Sequence, residues 1–329
     1  MSSDVKGCAS FCSIRTPVIG ERALAGRTAP SVMNYSSEVS VVIPSYNGRK
    51  HLERCLSTLA SEAPDAEVIV VDGQSTDGSA QLVRDKFPSV RLRSVRNHGW
   101  AHATNRGIEL AERPYLLCLN SDAFITREAL TAMRNRLHFS REVAAVAPML
   151  NNEDGTRQAL FGIWYWPTWK PITKPTSVPV LSGACIMTRR ETYEAVGAFD
   201  ENFFLYNEEL DWCYRAKSLG FRLEILPVSM VHVGGGSTGK SPLLRLEEQR
   251  GFIYLSSKHW PTWVTSLLRQ GMRIEGKIRK HLDGRPAHKA MWEALESTMA
   301  REAYLESPFQ LSGRGVPSAI FRPAPGSSE

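Results

Sequence analysis

Short apolar runs alternate with amphipathic segments between residues 39 and 119. Residues 39–44 (VSVVIP) form a β-branched run that ends at a proline and the turn residues Tyr46, Asn47 and Gly48. Leu52, Cys55, Leu56 and Leu59 then recur on one helical face. Residues 67–72 (EVIVVD) predict a second strand bounded by Gly73, and Asp77, Gly78 and Ser79 offer N-cap chemistry ahead of Leu82 and Val83. A third strand is predicted over 90–95, a helix over 100–111 and a fourth strand over 115–119 (YLLCL). Nearly continuous apolar strands that alternate with helices predict an α/β fold, a mostly parallel sheet covered by helices on both faces.

Beyond Val143 the alternation loosens. Residues 151–180, with Trp164, Trp166 and Trp169, read as a long loop or hairpin region. A strand over 181–187, a helix near 190–196 and closing strands over 222–227 and 230–233 follow, with Gly234, Gly235 and Gly236 beyond them. After Pro242 the pattern is helical to about 305. The expected organisation is a leader over 1–37 that lacks periodicity, a domain over 38–240, a basic amphipathic helical extension over 241–305 and a flexible tail over 306–329.

Composition narrows the classes. A chain of 329 residues with 42% hydrophobic and 22% charged residues buries a substantial core. The net charge of +6 gathers after Pro242, in Arg269, Arg273, Lys277, Arg279, Lys280 and His281. There, Trp263, Leu267, Met272 and Ile274 interleave with the basic residues. Two readings stay open, a membrane-surface element or a helix packed back on the main domain. No window reaches the ~20 apolar residues that span a bilayer, no secretory h-region opens the chain, and no nucleic-acid-binding module accompanies the basic residues. Cys55, Cys118, Cys185 and Cys213 fall inside apolar or helical patterns, and Cys8 and Cys12 have no partners at zinc spacing, which fits a reducing cytoplasm.

The candidate chemistry begins with residues 206–215 (YNEELDWCYR). Glu208, Glu209 and Asp211 crowd one turn of helix among aromatic residues. Like charges that close raise one another's pKa unless a cation or a proton-transfer task holds them. The alternative is an acidic first turn that complements the helix dipole, with Asp211 paired to Arg215 at i,i+4. Asp72 ends the second strand, Asp122 follows the fourth, and His232 ends the last. Strand ends are where doubly wound sheets bind ligands, although each residue alone also reads as a turn or structural group. One carboxylate, one imidazole and diphosphate oxygens would suit Mn²⁺ or Mg²⁺. No G-x-G-x-x-G follows the first strand, which takes most of the weight from dinucleotide oxidoreductases.

Eight blocks in order now carry a resemblance. Residues 39–48, 68–79 (VIVVDGQSTDGS), 97–107 (NHGWAHATNRG) and 119–122 (LNSD) resemble successive blocks of the family 2 inverting glycosyltransferases. Residues 181–184 (LSGA), 196–204, the acidic turn and 231–237 (VHVGGGS) continue the series, closest to its rhamnosyltransferase-like branch. The resemblance implies a GT-A-type, Rossmann-like fold and a hexosyltransferase acting with a divalent cation. Its implied donor is a nucleotide-diphosphate sugar, its acceptor a glycan or polyprenyl-linked glycan, and its place the cytoplasm or inner face of the cell membrane, in polysaccharide or cell-wall assembly. By position it implies Pro44, Tyr46, Asn47 and Asp72 in the nucleotide site, Asp122 and His232 at the metal, and Glu209 as general base with Glu208 beside it. Three departures stand out. Residues 120–122 keep only the last acid of a D-x-D motif, Gly73 replaces an acid or amide, and Glu209 stands where Asp is usual. The extra methylene moves the carboxylate about 1 Å, enough to matter in near-attack geometry, so Glu208 competes for the base role.

Such an enzyme would displace a nucleoside diphosphate from the anomeric carbon in one inverting step, the base taking the acceptor's proton. A sugar-1-phosphate nucleotidyltransferase would share the strand-end acids but needs a glycine-rich, basic first loop, which residues 44–48 (PSYNG) do not supply. A catalytically silent nucleotide-sugar or glycan-binding protein is the third class.

Overall fold

A computed structural model of the chain describes residues 35–158, 172–234, 241–300, 303–305 and 307. Most of the expected leader and tail, the Trp164, Trp166 and Trp169 segment and the glycines after Gly234 lie outside the described residues. A 3-10 turn, Tyr35–Glu38, precedes the first strand. Arg134 holds it, donating to Glu38 Oε2 at 2.7 Å through Nε and lying 4.4 Å over the Tyr35 ring.

The first half follows the expected order: β1 (Val39–Ser45), α1 (Arg49–Glu62), β2 (Glu67–Asp72), α2 (Ser79–Lys86), β3 (Arg91–Ser94), α3 (Trp100–Ile108) and β4 (Tyr115–Leu119). Asp77 serves two helices. Its Oδ2 accepts from Arg49 N at the start of α1 and its Oδ1 from Ser79 N at the start of α2, which satisfies two helix-end donors that lack intrahelical partners. The rest comprises β5 (Ala123–Phe124), α4 (Arg127–Phe139), β6 (Val143–Asn151), β7 (Thr176–Ser177), β8 (Cys185–Arg189), α5 (Arg190–Val196), α6 (Glu208–Ser218) and β9 (Arg222–His232). Helix α4 is additional to the expected elements. Its N-cap Thr126, which accepts from Ala129 N, and its buried Leu130, Met133 and Leu137 are signals present in the sequence.

The sheet runs β3-β2-β1-β4-β8-β6-β9-β5, with β7 beside β9. Strands β3, β2, β1 and β4 are mutually parallel, as are β6 and β9; β8 is antiparallel to both of its neighbours, and β5 and β7 are antiparallel to β9. Alternate residues of each central strand face opposite layers. Val41 and Ile43 of β1 pack with Leu52, Leu56, Leu130 and Met133 from α1 and α4. Val42 packs with Ala101, Tyr193 and Trp212 from α3, α5 and α6. Helices therefore cover both faces.

Two boundaries differ from the expected ones. The strand predicted over 181–187 begins only at Cys185, because 181–184 turn: Cys185 N returns to Ser182 O, and Ala184 O receives Asn120 N–H. The two closing strands are one, β9. Opposite Ala147 and Met149 it carries extra residues between Ile225 and Ser229, and Pro227, which lacks a donor, sits in that bulge.

After the sheet come α7 (Pro242–His259), α8 (Thr262–Leu282) and α9 (Pro286–Ala300). They share a core of Leu243, Leu246, Ile253, Met291, Trp292 and Leu295. Pro261 separates α7 from α8, since the residue before a proline is steered out of helical geometry. Helix α7 also reaches into the sheet domain through Glu247 and Arg250, both fully buried.

Candidate functional site

The carboxyl ends of β1, β2, β3 and β4 open into one cavity of about 500 Å³. Pro44 and Tyr46 line it from β1, Gly73 from β2, Arg96 and Asn97 from beyond β3, and Asn120 to Asp122 from beyond β4. His232, at the end of β9, closes the same side; residues 204–206 and Ser241 and Leu244 at the start of α7 complete the wall. Parallel strands point their carboxyl ends at such a crevice and leave side chains free of the sheet to meet a ligand.

Asp122 and His232 meet there, with Asp122 Oδ1 3.3 Å from His232 Nε2. Pairing of β5 with β9, which sets Ala123 opposite His232, brings them together. Gln158 sets the imidazole. Its amide nitrogen is committed to Asn152 Oδ1 (2.8 Å) and the His232 carbonyl (2.6 Å), so its Oε1 accepts from His232 Nδ1 at 2.9 Å. That leaves Nε2 facing the carboxylate. In the neutral ring, an oxygen and a nitrogen lone pair turn toward the same point, a donor set that calls for a cation. Among the described residues no cluster of three or more His, Cys, Asp or Glu could hold a metal. The two-donor pair fits a divalent ion only with ligand oxygens completing its shell.

The other expected residues divide. Asn47, held at φ 50°, turns from the cavity: its side-chain oxygen accepts from Thr76 N and its own N–H donates to Ser75 Oγ. Asp72 is buried behind Gly73, with Oδ2 bound by Ser75 N and Oδ1 buried without a hydrogen-bond partner. A Cβ at Gly73 would meet Asn97 and the Tyr46 ring at 3.4 Å, ordinary van der Waals contact, so packing does not by itself require glycine there.

Glu208 and Glu209 open α6 and do not line the cavity. Glu209 stands against the turn at 181–184, 3.6 Å from the position of a Cβ on Gly183. Each glutamate has one buried oxygen, Oε2, without a hydrogen-bond partner. Burial lifts the Glu208 carboxyl well above the usual carboxylate range, and the Glu209 charge adds to this. Burial raises Glu209 as well, against hydrogen bonds from its own N–H and those of Gly183 and Leu210. The pair is entered through Tyr206 (φ 69°) and Asn207 (φ 71°), consecutive left-handed residues of a kind that persists only where surroundings over-determine it.

Asp211 has a different task. It is fully buried and bound by Arg215 (2.9 Å), His259 (2.8 Å) and Lys258 (2.6 Å). Burial opposes its ionisation, but the bonds from His259 and Lys258 and the Arg215 charge prevail and hold it down at about 2.

Sequence reasoning missed what shapes the wall. Trp100 donates its indole N–H to Asn120 Oδ1 (2.9 Å) and its backbone N–H to Phe204 O (2.8 Å). From α7, Glu247 Oε1 accepts Phe204 N–H, Arg250 donates to Asn202 O, and Asn207 donates to Glu248 O. The available signal was Glu247 and Arg250 three residues apart, a spacing that pairs charges on one helix face, although Arg245, Glu248 and Gln249 around them blur it.

A family model described as Glycosyl transferase family 2 matches residues 40–197. Those residues are a family 2 glycosyltransferase domain. This glycosyltransferase is 29% identical to an N-acetylglucosaminyl-diphospho-decaprenol L-rhamnosyltransferase of Mycobacterium tuberculosis, over 74% of this chain and 91% of that protein. Among solved structures it resembles a Pyrobaculum calidifontis mannosyltransferase in complex with GDP-Man and Mn²⁺ (TM-score 0.52, 20% identity, 86% of this chain and 78% of that one). It also resembles TarS of S. aureus (TM-score 0.52, 17% identity, 81% and 82%). At these identities the two structures speak to the fold alone. The glycosyltransferase has the GT-A-like mixed, mostly parallel sheet, followed by C-terminal helices.

Proposed function

We propose that this glycosyltransferase moves a hexosyl residue, rhamnose by its nearness to the mycobacterial relative, from a nucleotide-diphosphate sugar to a polyprenyl-linked or other glycan acceptor, with inversion. Residues 38–240 form its catalytic domain, working in cell-wall or polysaccharide assembly at the inner face of the cell membrane. The observation that carries the reading is the Asp122–His232 pair turned toward one point on the wall of a strand-end cavity.

Pro44 and Tyr46 would flank the nucleotide, and the buried, unpartnered Oδ1 of Asp72 is an acceptor for a base N–H. Asp122 and His232 would hold a divalent cation, Mn²⁺ or Mg²⁺, with the donor's diphosphate. When bound, the cation offsets negative charge on the leaving group. Asn47 acts one step away, fixing the loop behind Gly73. Glu209 takes the acceptor's proton; a carboxyl raised by burial lies nearer neutral pH, where a base both exists ionised and accepts a proton well. Glu208, pushed up by burial and by the Glu209 charge, stands beside it as the competing base or orienting partner.

The test offers nucleotide sugars with Mn²⁺ or Mg²⁺, follows nucleoside diphosphate release and reads the product's anomeric configuration by NMR. Glu209→Gln should keep donor binding and lose at least a hundredfold in turnover. Pyrophosphate released from a nucleoside triphosphate and a sugar phosphate, retention at the anomeric carbon, or a fully active Glu209→Gln would each defeat the reading.

A further inference from the structure

We infer that the outward face of α8 docks on an anionic lipid bilayer, the helix lying along the membrane surface. Helix α8 has two apolar faces. One packs inward: Leu268 and Met272 join the core built by Trp292 and Leu295, and Gly276 admits the α9 backbone, since a Cβ there would lie 3.0 Å from Trp292 O. The other is bare. Trp263, Leu267, Ile274, Ile278 and Leu282 are 69%, 66%, 56%, 52% and 77% exposed.

At 3.6 residues per turn these five fall within an arc of roughly 100° and run about 28 Å along the helix. A single exposed leucine needs no explanation, but an aligned stripe marks an interaction surface. Beside its C-terminal half opens a groove floored by Ile274, Ile278 and Leu282, where Arg279 and Arg285 are each paired to a carboxylate of the same wall, Glu275 and Asp283.

Charge selects the occupant. Helix α8 carries Arg269, Arg273, Lys277, Arg279 and Lys280 against Glu275 alone. Arg279 pairs with Glu275 and Lys280 with Glu296 of α9, while Arg273 and Lys277 stand exposed beside the stripe. A second copy of the chain would bring the same positive flank against itself; an anionic bilayer receives it, and a tryptophan at the stripe's start suits the headgroup level. Among the described residues no helix is long and apolar enough to cross a membrane, so the contact is with the surface.

The inference deepens the lipid-linked acceptor of the proposed function, yet its test needs neither donor nor catalysis. The full chain, without nucleotide sugar or metal, is sedimented with vesicles of phosphatidylcholine alone and of phosphatidylcholine mixed with phosphatidylglycerol. Binding should require phosphatidylglycerol and weaken with salt. Ile274→Glu with Ile278→Glu should lower it at least tenfold, and Arg273→Gln or Lys277→Gln about fivefold each. All four positions are exposed, so melting should not change; Leu267→Gln with Leu282→Gln serves as a second pair if the first unfolds. Three results would overturn the inference: no vesicle binding by the parent chain, equal binding by parent and paired variants, or a concentration-dependent dimer that Ile274→Glu dissolves. A failure here leaves nucleoside diphosphate release, and the transferase reading with it, untouched.

Discussion

At the scale of single residues, the acidic turn shows how one segment supports opposite electrostatic outcomes. Asp211 faces Arg215, Lys258 and His259 and stays ionised, whereas Glu208 and Glu209, three and two residues earlier, are buried with an unpartnered oxygen each. A group whose folded pKa is raised stabilises the fold below its unfolded pKa and loses that contribution as pH rises through the folded value. Glu208→Gln removes the charge that rising pH forces into the interior. It should therefore be close to neutral at pH 5 and stabilising at pH 8, seen as a positive shift in melting temperature that grows with pH. A melting difference that stays flat or falls with pH would show that Glu208 is ionised and partnered. The spacing of the three acids was legible in the sequence, and so was the Asp211–Arg215 pair. Which acids would be isolated was not, because their partners come from α7 and from the turn at 181–184.

At the scale of elements, the cavity wall depends on a close backbone contact. Gly99 has φ 98°, and a Cβ there would lie 2.0 Å from Phe204 O, the acceptor of Trp100 N–H. Gly99→Ala should cost about 3 kcal/mol, from clash added to backbone strain, and should weaken nucleotide binding by moving residues 204–206. Gly155 is a matched control. Its φ is 82° but nothing lies within 4 Å of its Cβ position, so Gly155→Ala should cost only about 1 kcal/mol. Thermal melts and nucleotide titration decide it; equal losses at both sites would mean that contact with Phe204 contributes nothing. Strand and helix order was readable here because short apolar runs and helical spacing are local signals. The merging of two expected strands into β9 was not, since the bulge at Pro227 is accepted only when β6 lies alongside.

For the whole molecule, the helices after the sheet are structurally part of the site. Arg250 and Glu247 tie residues 202–204 to α7, and Lys258 and His259 grip Asp211. Asp211, held down at about 2 against an ordinary 3.8, contributes about 2 kcal/mol that is fully present above pH 4 and lost as pH falls through 2. Asp211→Asn should lower stability at pH 7 and flatten the acid limb of the stability curve between pH 4 and 2, measured by denaturant unfolding. An unchanged acid limb would mean that this joint does not depend on the carboxylate's charge. Of the two readings of the basic extension, packing against the main domain describes α7, and an exposed amphipathic surface describes α8. A pattern of apolar and basic residues does not separate them, because α8 is apolar on two faces and only packing shows which one α9 covers.

The sequence by itself determined the alternating α/β order, the strand-end positions of Asp72, Asp122 and His232, and the family blocks that point to sugar transfer. These depend on local periodicity, on turn chemistry and on residue identity in order along the chain. Tertiary structure alone decided that Asp122 and His232 face one point while Asn47 turns aside, that Gln158 orients the imidazole, and that α7 clamps the acidic turn. Those outcomes follow from contacts between residues 28 to 110 positions apart, whose geometry no local pattern encodes.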